Sequence, residues 1–203
     1  MDTLKPYPDY ISQSLTWTEY RALIAQLLSI NLTTGNDTRE VMVEYTRLNQ
    51  QRMNRWDKKG ELLPAMFDAI SSLNRNLTWL VLTEGWCGDA AQNIPWLAKM
   101  AEASEGKIKL QLILRDEHPE LMEAYLTNGG KSIPKLICLT DSFQVIGTWG
   151  PRPASPQKMV LDHKDNPVVS SDEFVRNLHT WYLLNEGKEI QQEFMELLHQ
   201  WSE

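Results

Sequence analysis

Leu77-Thr-Trp-Leu-Val-Leu-Thr83 runs directly into Glu84-Gly-Trp-Cys-Gly-Asp-Ala90. The first seven residues are a continuous β-prone run, which predicts a strand buried on both faces. Gly85 to Gly88 predicts a turn. Asp89 to Ser104 predicts a helix, with Ala91, Ile94, Leu97, Ala98 and Ala101 along one stripe. Cys87 therefore falls where a buried strand hands over to a helix N-terminus. Unpaired N–H groups and the positive end of the helix dipole favour a thiolate there, and the thiolate is the nucleophile. Trp86 supplies an apolar wall that limits solvent access. Asp89 has two readings: it stabilises the helix through its dipole, or it assists proton transfer at Cys87.

Downstream, the pattern predicts a strand over 108–114, a short helix over 120–127 ended by Gly129-Gly130, and strands over 136–139 and 145–149. The last two are close enough for a hairpin. Pro151 to Ser170, with four prolines, predicts a polar loop. A helix is expected from about 172, with a break at Gly187 before the stripe Ile190, Phe194, Leu197, Trp201. Upstream, residues 1–15 predict a loose arm, and helices are expected over 16–30, 39–58 and 62–73. Val41, Tyr45, Leu48 and Trp56 are expected to share one side of the second of these. The fold class is α/β in a single domain spanning 1–203: a helical N-terminal extension over 1–75, then a core over 76–203 that includes a C-terminal helical segment.

These residues resemble the thioredoxin superfamily. Trp86-Cys87-Gly88 follows a strand, and Pro95 lies where that family's active-site helix carries a kink proline. Ser132-Ile133-Pro134 matches its cis-proline loop, and Trp149-Gly150 closes the last strand where thioredoxins also carry glycine. The resemblance covers about 77–150 and implies a three-layer α/β/α core around a central mixed sheet. It also implies that Trp86, Gly88, Ile133 and Pro134 receive an extended partner segment beside Cys87. Trp-Cys-Gly-Asp-Ala-Ala-Gln with a downstream Trp-Gly-Pro-Arg-Pro is similar to a bacterial branch of the family.

The sequence departs from the family at the decisive position. The second active-site cysteine is replaced by Ala90, and Val81 stands where the family carries a buried acid. Cys138, the only other cysteine, lies four strand residues beyond Pro134. At ~3.3 Å per residue that places it ~13 Å away, against the ~7 Å a disulfide tolerates between Cα atoms. It reads as a small core residue. Any thiol chemistry must then borrow its second sulfur. The expectation is a monothiol oxidoreductase acting through Cys87 on protein or low-molecular-weight disulfides, with an external resolving thiol and no cofactor. The alternative is a redox-inactive thioredoxin-fold module that keeps only the binding groove. Weighing the helix terminus against Asp89 and Glu84 predicts a thiol near or slightly below its ordinary pKa of about 8.5.

Composition narrows the partners. The 203 residues carry 20 Lys+Arg against 27 Asp+Glu, a net charge of -7, which argues against a nucleic-acid footprint. Two cysteines exclude a disulfide-dense scaffold and a cysteine-rich zinc site, and the four histidines show no paired metal spacing. Gly130-Lys131-Ser132 lacks the upstream glycine of a phosphate-binding loop, since Tyr125 stands there. The N-terminal residues lack a signal-peptide pattern, and no run is long enough for a membrane helix, so a cytoplasmic protein is expected. The partner is expected to be a disulfide-containing or thiol protein, or a low-molecular-weight thiol. Charge is uneven: residues 171–203 hold seven acids and two bases, and residues 39–59 hold six bases and three acids. These two segments are expected to face each other.

Overall fold

The computed structural model describes residues 4–202. Strands β1 (Leu77–Thr83), β2 (Ile108–Leu114), β3 (Lys135–Thr140) and β4 (Val145–Trp149) form one mixed sheet in the order β2-β1-β3-β4. β1 runs parallel to β2 and antiparallel to β3, and β3 pairs antiparallel with β4. Successive strand residues point to opposite faces, yet β1 is buried at every position except Thr78. Both faces of the sheet are therefore covered, which is the α/β layering of a thioredoxin-like fold. Trp79 packs edge-on against Phe194 and Trp201 of the helix Lys188–Trp201.

Helices α1 (Tyr7–Ile11), α2 (Trp17–Ser29), α3 (Glu40–Lys59) and α4 (Pro64–Ser71) precede β1. α2 begins with a capping box: the Thr16 hydroxyl accepts from Glu19 N, and Glu19 accepts from Thr16 N. The segment expected to be a loose arm is instead tied down. Tyr10 is fully buried and its hydroxyl donates to Glu120, while Leu15 exchanges backbone hydrogen bonds of 2.7 Å with Leu112 at the β2 edge. The part of that arm formed by residues 1–3 lies outside the described residues.

α3 corrects the expected stripe. Val41, Tyr45 and Leu48 are exposed, and the buried face is Val43, Thr46, Asn49, Met53 and Trp56. That face was hard to read because it carries polar residues with specific partners. Asn49 Nδ2 donates to Gly85 O at 2.9 Å, and the Thr46 hydroxyl donates to Met42 O.

After β1 come α5 (Gly88–Ala103), which carries Pro95, and, after β2, α6 (Pro119–Ala124). α7 (Ala154–Asp165) lies in the segment expected to be a loop. Its prolines sit at the N-cap (Pro153) and in the first turn (Pro156), where the backbone N–H groups have no helical partner anyway. Ala154 N and Ser155 N, two of the orphan donors, are satisfied by Glu193 and Glu189, both at 2.6 Å. Those carboxylates lie far along the chain, so no local cap signal announces the helix. α8 (Ser171–Asn185) and α9 (Lys188–Trp201) follow, with the break at Gly187. No helix among the described residues is long and apolar enough to cross a membrane.

Candidate active site

β1 ends at Thr83, and the chain turns through Glu84 to Trp86 so that Cys87 becomes the N-cap of α5. Cys87 N donates to Glu84 O at 3.1 Å, closing the turn. Cys87 Sγ accepts from Ala90 N at 3.4 Å and donates to Ile133 O at 3.2 Å. The thiol thus bridges the helix terminus and the loop before β3, in which the Ile133-Pro134 peptide is cis. The Gly150-Pro151 peptide is also cis, and Gly150, at φ +111°, lies against the Pro134 carbonyl. A side chain there would collide with that backbone oxygen, so glycine permits the close approach.

Cys87 is 7% exposed and lines a groove of about 360 Å³. Trp86, Gly88, Asp89 and Ile133 line it, with Tyr45, Arg115, Lys131 and Arg152 around its mouth. Pro134 is buried directly behind Ile133. The structure thus gathers Trp86, Cys87, Gly88, Asp89, Ile133 and Pro134 at one place. Cys138 sits elsewhere, fully buried in β3 opposite Trp79 of β1, and both cysteines are free.

Burial pushes the Cys87 thiol up to about 12, and the Asp89 charge adds to it; the Ala90 N–H and Arg152 pull the other way. The expectation of a near-ordinary thiol is corrected here. It balanced the helix terminus against the nearby carboxylates and left out desolvation, which is the largest effect in a site this enclosed. At neutral pH the proton stays on Sγ, directed at Ile133 O.

Both carboxylate oxygens of Asp89 are engaged. Its Oδ2 pairs with Arg152 Nη2 at 2.6 Å and its Oδ1 accepts from the Tyr182 hydroxyl at 2.9 Å. Asn93 Nδ2 donates to both Asp89 O and Tyr182 Oη. This buried network ties the start of α5 to the Gly150-Pro151 bend and to α8. Arg152 comes from the Pro-rich segment in which the sequence predicts only a polar loop, so this groove residue carries no local signal.

Glu84 was read from sequence only as a nearby charge. Its side chain is completely buried, and burial raises its pKa from 4.5 to about 7. Oε1 accepts from Asp116 N at 2.9 Å, whereas Oε2 has no partner among the described residues. A buried acid is therefore present beside the Cys87 turn, three residues after Val81, where the family pattern had pointed. Arg115 lies over the Trp86 ring at 4.8 Å and holds that wall of the groove in place.

Comparison with known proteins follows the same outline. A family model described as Thioredoxin matches residues 35–168. None of the curated proteins matches this chain. Among solved structures, the chain resembles a protein of unknown function from Pseudomonas aeruginosa at 15% identity and a TM-score of 0.54, covering 91% of this chain and 98% of that one. It also resembles an HIV epitope scaffold at 18% identity and a TM-score of 0.55, covering 86% of this chain and 96% of that one. At such identities the likeness is one of fold.

Proposed function

The chain belongs to the thioredoxin family, and on that premise we propose that it is a monothiol thiol-disulfide oxidoreductase working through Cys87. The observation that carries this reading is the position of Sγ: at the α5 N-cap, 3.2 Å from Ile133 O, on a residue that lines a groove open to solvent. A partner strand laid along Ile133-Pro134 brings its disulfide to that sulfur. Cys87 Sγ attacks one sulfur of the partner's disulfide, an S–S bond forms, and the old S–S bond breaks. The departing sulfur takes up the proton that Cys87 loses. An external thiol then attacks Cys87 Sγ and frees the partner's second sulfur as a thiol. A second external thiol releases Cys87 and leaves as the oxidised disulfide. The balance is one partner disulfide reduced for two external thiols oxidised, which suits a thiol-rich compartment such as the cytoplasm.

Asp89 acts here as a positioning residue. It holds Arg152 beside the groove and anchors the helix whose N-terminus faces the sulfur. The high thiol pKa makes the resting protein a slow nucleophile, and it favours a second reading: a groove that binds extended segments without chemistry. Intact-mass analysis with a low-molecular-weight disulfide separates the two. The monothiol reading predicts one mixed-disulfide adduct, cleared by added monothiol and absent in Cys87→Ser. Partner capture that survives Cys87→Ser, with no adduct on the wild type, establishes the binding module instead.

A further inference from the structure

Most arginines in this protein have a carboxylate. Arg21 pairs with Asp57, Arg39 with Asp37, Arg47 with Glu44, Arg115 with Asp116 and Arg152 with Asp89. Among the described residues, Arg52, Arg55, Arg75 and Arg176 have none within ion-pair distance, and three of these four line one cleft between α3 and α8. The sequence led us to expect the basic end of α3 to meet acids of the C-terminal helices. Residues of both segments line this cleft, but α8 contributes Arg176 and His179 to it beside Arg52 and Arg55, not acids. Two acids of α9, Glu189 and Glu193, are engaged on the start of α7.

The uncharged groups of the cleft are donors as well. Trp56 Nε1 donates to Gln92 Oε1 at 2.7 Å, which turns Gln92 Nε2 toward His179 Nδ1 at 3.2 Å. His179 Nδ1 is then the acceptor, and its proton sits on Nε2. Burial together with Arg52 and Arg152 keeps the ring neutral, its pKa lowered to about 4. The cleft, about 470 Å³, therefore offers many donors and few free acceptors, with Leu48, Val175 and Leu183 as half-exposed apolar walls. Like charges gathered without a counter-ion repel one another. Burial pulls the Arg52 pKa down to about 10; Asp89 works against this and Arg55 adds to it, and one Arg52 nitrogen, Nη1, already donates to Asn49 Oδ1 at 2.7 Å.

We propose that this cleft binds a soluble organic phosphate. Arg52, Arg55 and Arg176 hold the phosphate oxygens, and the apolar part rests on Leu48, Val175 and Leu183. Guanidinium forks match phosphate oxygens bidentately, and three of them supply more donors than a single carboxylate can accept. The volume is that of a small-molecule site. The proposal is independent of the thiol chemistry, because Cys87 does not line this cleft.

Titration calorimetry on the full chain tests it, with inorganic pyrophosphate, inorganic phosphate and phenyl phosphate as probes and citrate at matched ionic strength as control. The expected result is saturable binding of pyrophosphate at one site per chain. It should weaken tenfold or more in Arg55→Gln and in Arg176→Gln, two exposed positions whose change leaves the fold intact by circular dichroism. Phenyl phosphate should bind more tightly than inorganic phosphate, and Cys87→Ser should bind pyrophosphate as the wild type does. Absence of saturable binding, retention of full affinity in both arginine variants, or citrate binding as tightly as pyrophosphate would overturn the proposal.

Discussion

Two cavities meet at Gly88, and they balance charge in opposite ways. In the Cys87 groove every cation at the mouth has its own acid: Arg115 with Asp116, Lys131 with Glu123, Arg152 with Asp89. In the α3–α8 cleft none of the three arginines has a carboxylate within ion-pair distance among the described residues. The wall between them is thin. A Cβ on Gly88 would lie 2.8 Å from the His179 ring, with Arg52 Nη1 also close. The groove is thus closed electrostatically, and its occupant is selected by shape, backbone and sulfur. The cleft is open electrostatically and takes its countercharge from outside the fold.

The sharpest way to break this contrast is to open the groove's own balance. Asp89→Ala leaves the largely buried Arg152 without its carboxylate, with Gln157 Oε1 still accepting from Nη1, and removes the acceptor of the Tyr182 hydroxyl. Breaking one side of a buried pair costs about 3–5 kcal/mol, so urea unfolding should show a loss of that order. A loss within the range of a surface pair, below about 1 kcal/mol, would show that the network is not the strut described here.

Glu84 gives the next largest effect, through pH. Its folded pKa of about 7 lies above the ordinary 4.5, so the folded state holds the proton more tightly than the unfolded chain. Its contribution is complete below pH 4.5 and is lost as pH rises through 7. A shift of this size corresponds to roughly 3 kcal/mol. Glu84→Gln keeps the acceptor for Asp116 N and should be the more stable protein at pH 8, with the two converging near pH 4. His179 works in the other direction. Its folded pKa of about 4 lies below 6.5, so its contribution is complete above pH 6.5 and is lost as pH falls through 4. Stability curves of Glu84→Gln and wild type measured from pH 4 to 8 separate the two. Parallel curves would contradict the burial assigned to Glu84.

The cleft supplies the smallest effect. With no ligand, Arg176→Gln relieves repulsion and should raise stability by a few tenths of a kcal/mol at low salt, with the gain vanishing at high salt. A salt-independent loss would mean that Arg176 has a partner in the fold.

Much of this was legible in the sequence wherever one physical rule acted alone. β1, β2 and β4 follow from β-prone runs between turn residues, and the Cys87 turn follows from its place between such a run and an amphipathic helix. Rules in competition hid the rest. The inner face of α3 carries Thr46 and Asn49 because it packs on the Gly85 turn, so the apolar count pointed to the wrong side. α7 hid behind prolines that are harmless in a first turn and behind caps supplied by α9. The thiol pKa was misjudged because burial, its largest cause, depends on tertiary enclosure that spacing along the chain does not reveal. The charge asymmetry was visible, but a count of acids and bases does not tell which faces meet.

The most direct measurement is the rate at which Cys87 exchanges with a low-molecular-weight disulfide as a function of pH, in the wild type and in Cys87→Ser. A protonated thiol held on Ile133 O, with its pKa raised to about 12, predicts exchange at one sulfur. Its rate should climb about tenfold per pH unit from 7 to 10 without a plateau, and Cys87→Ser should show none. A plateau below pH 9, or no Cys87-dependent exchange at any pH, would contradict it.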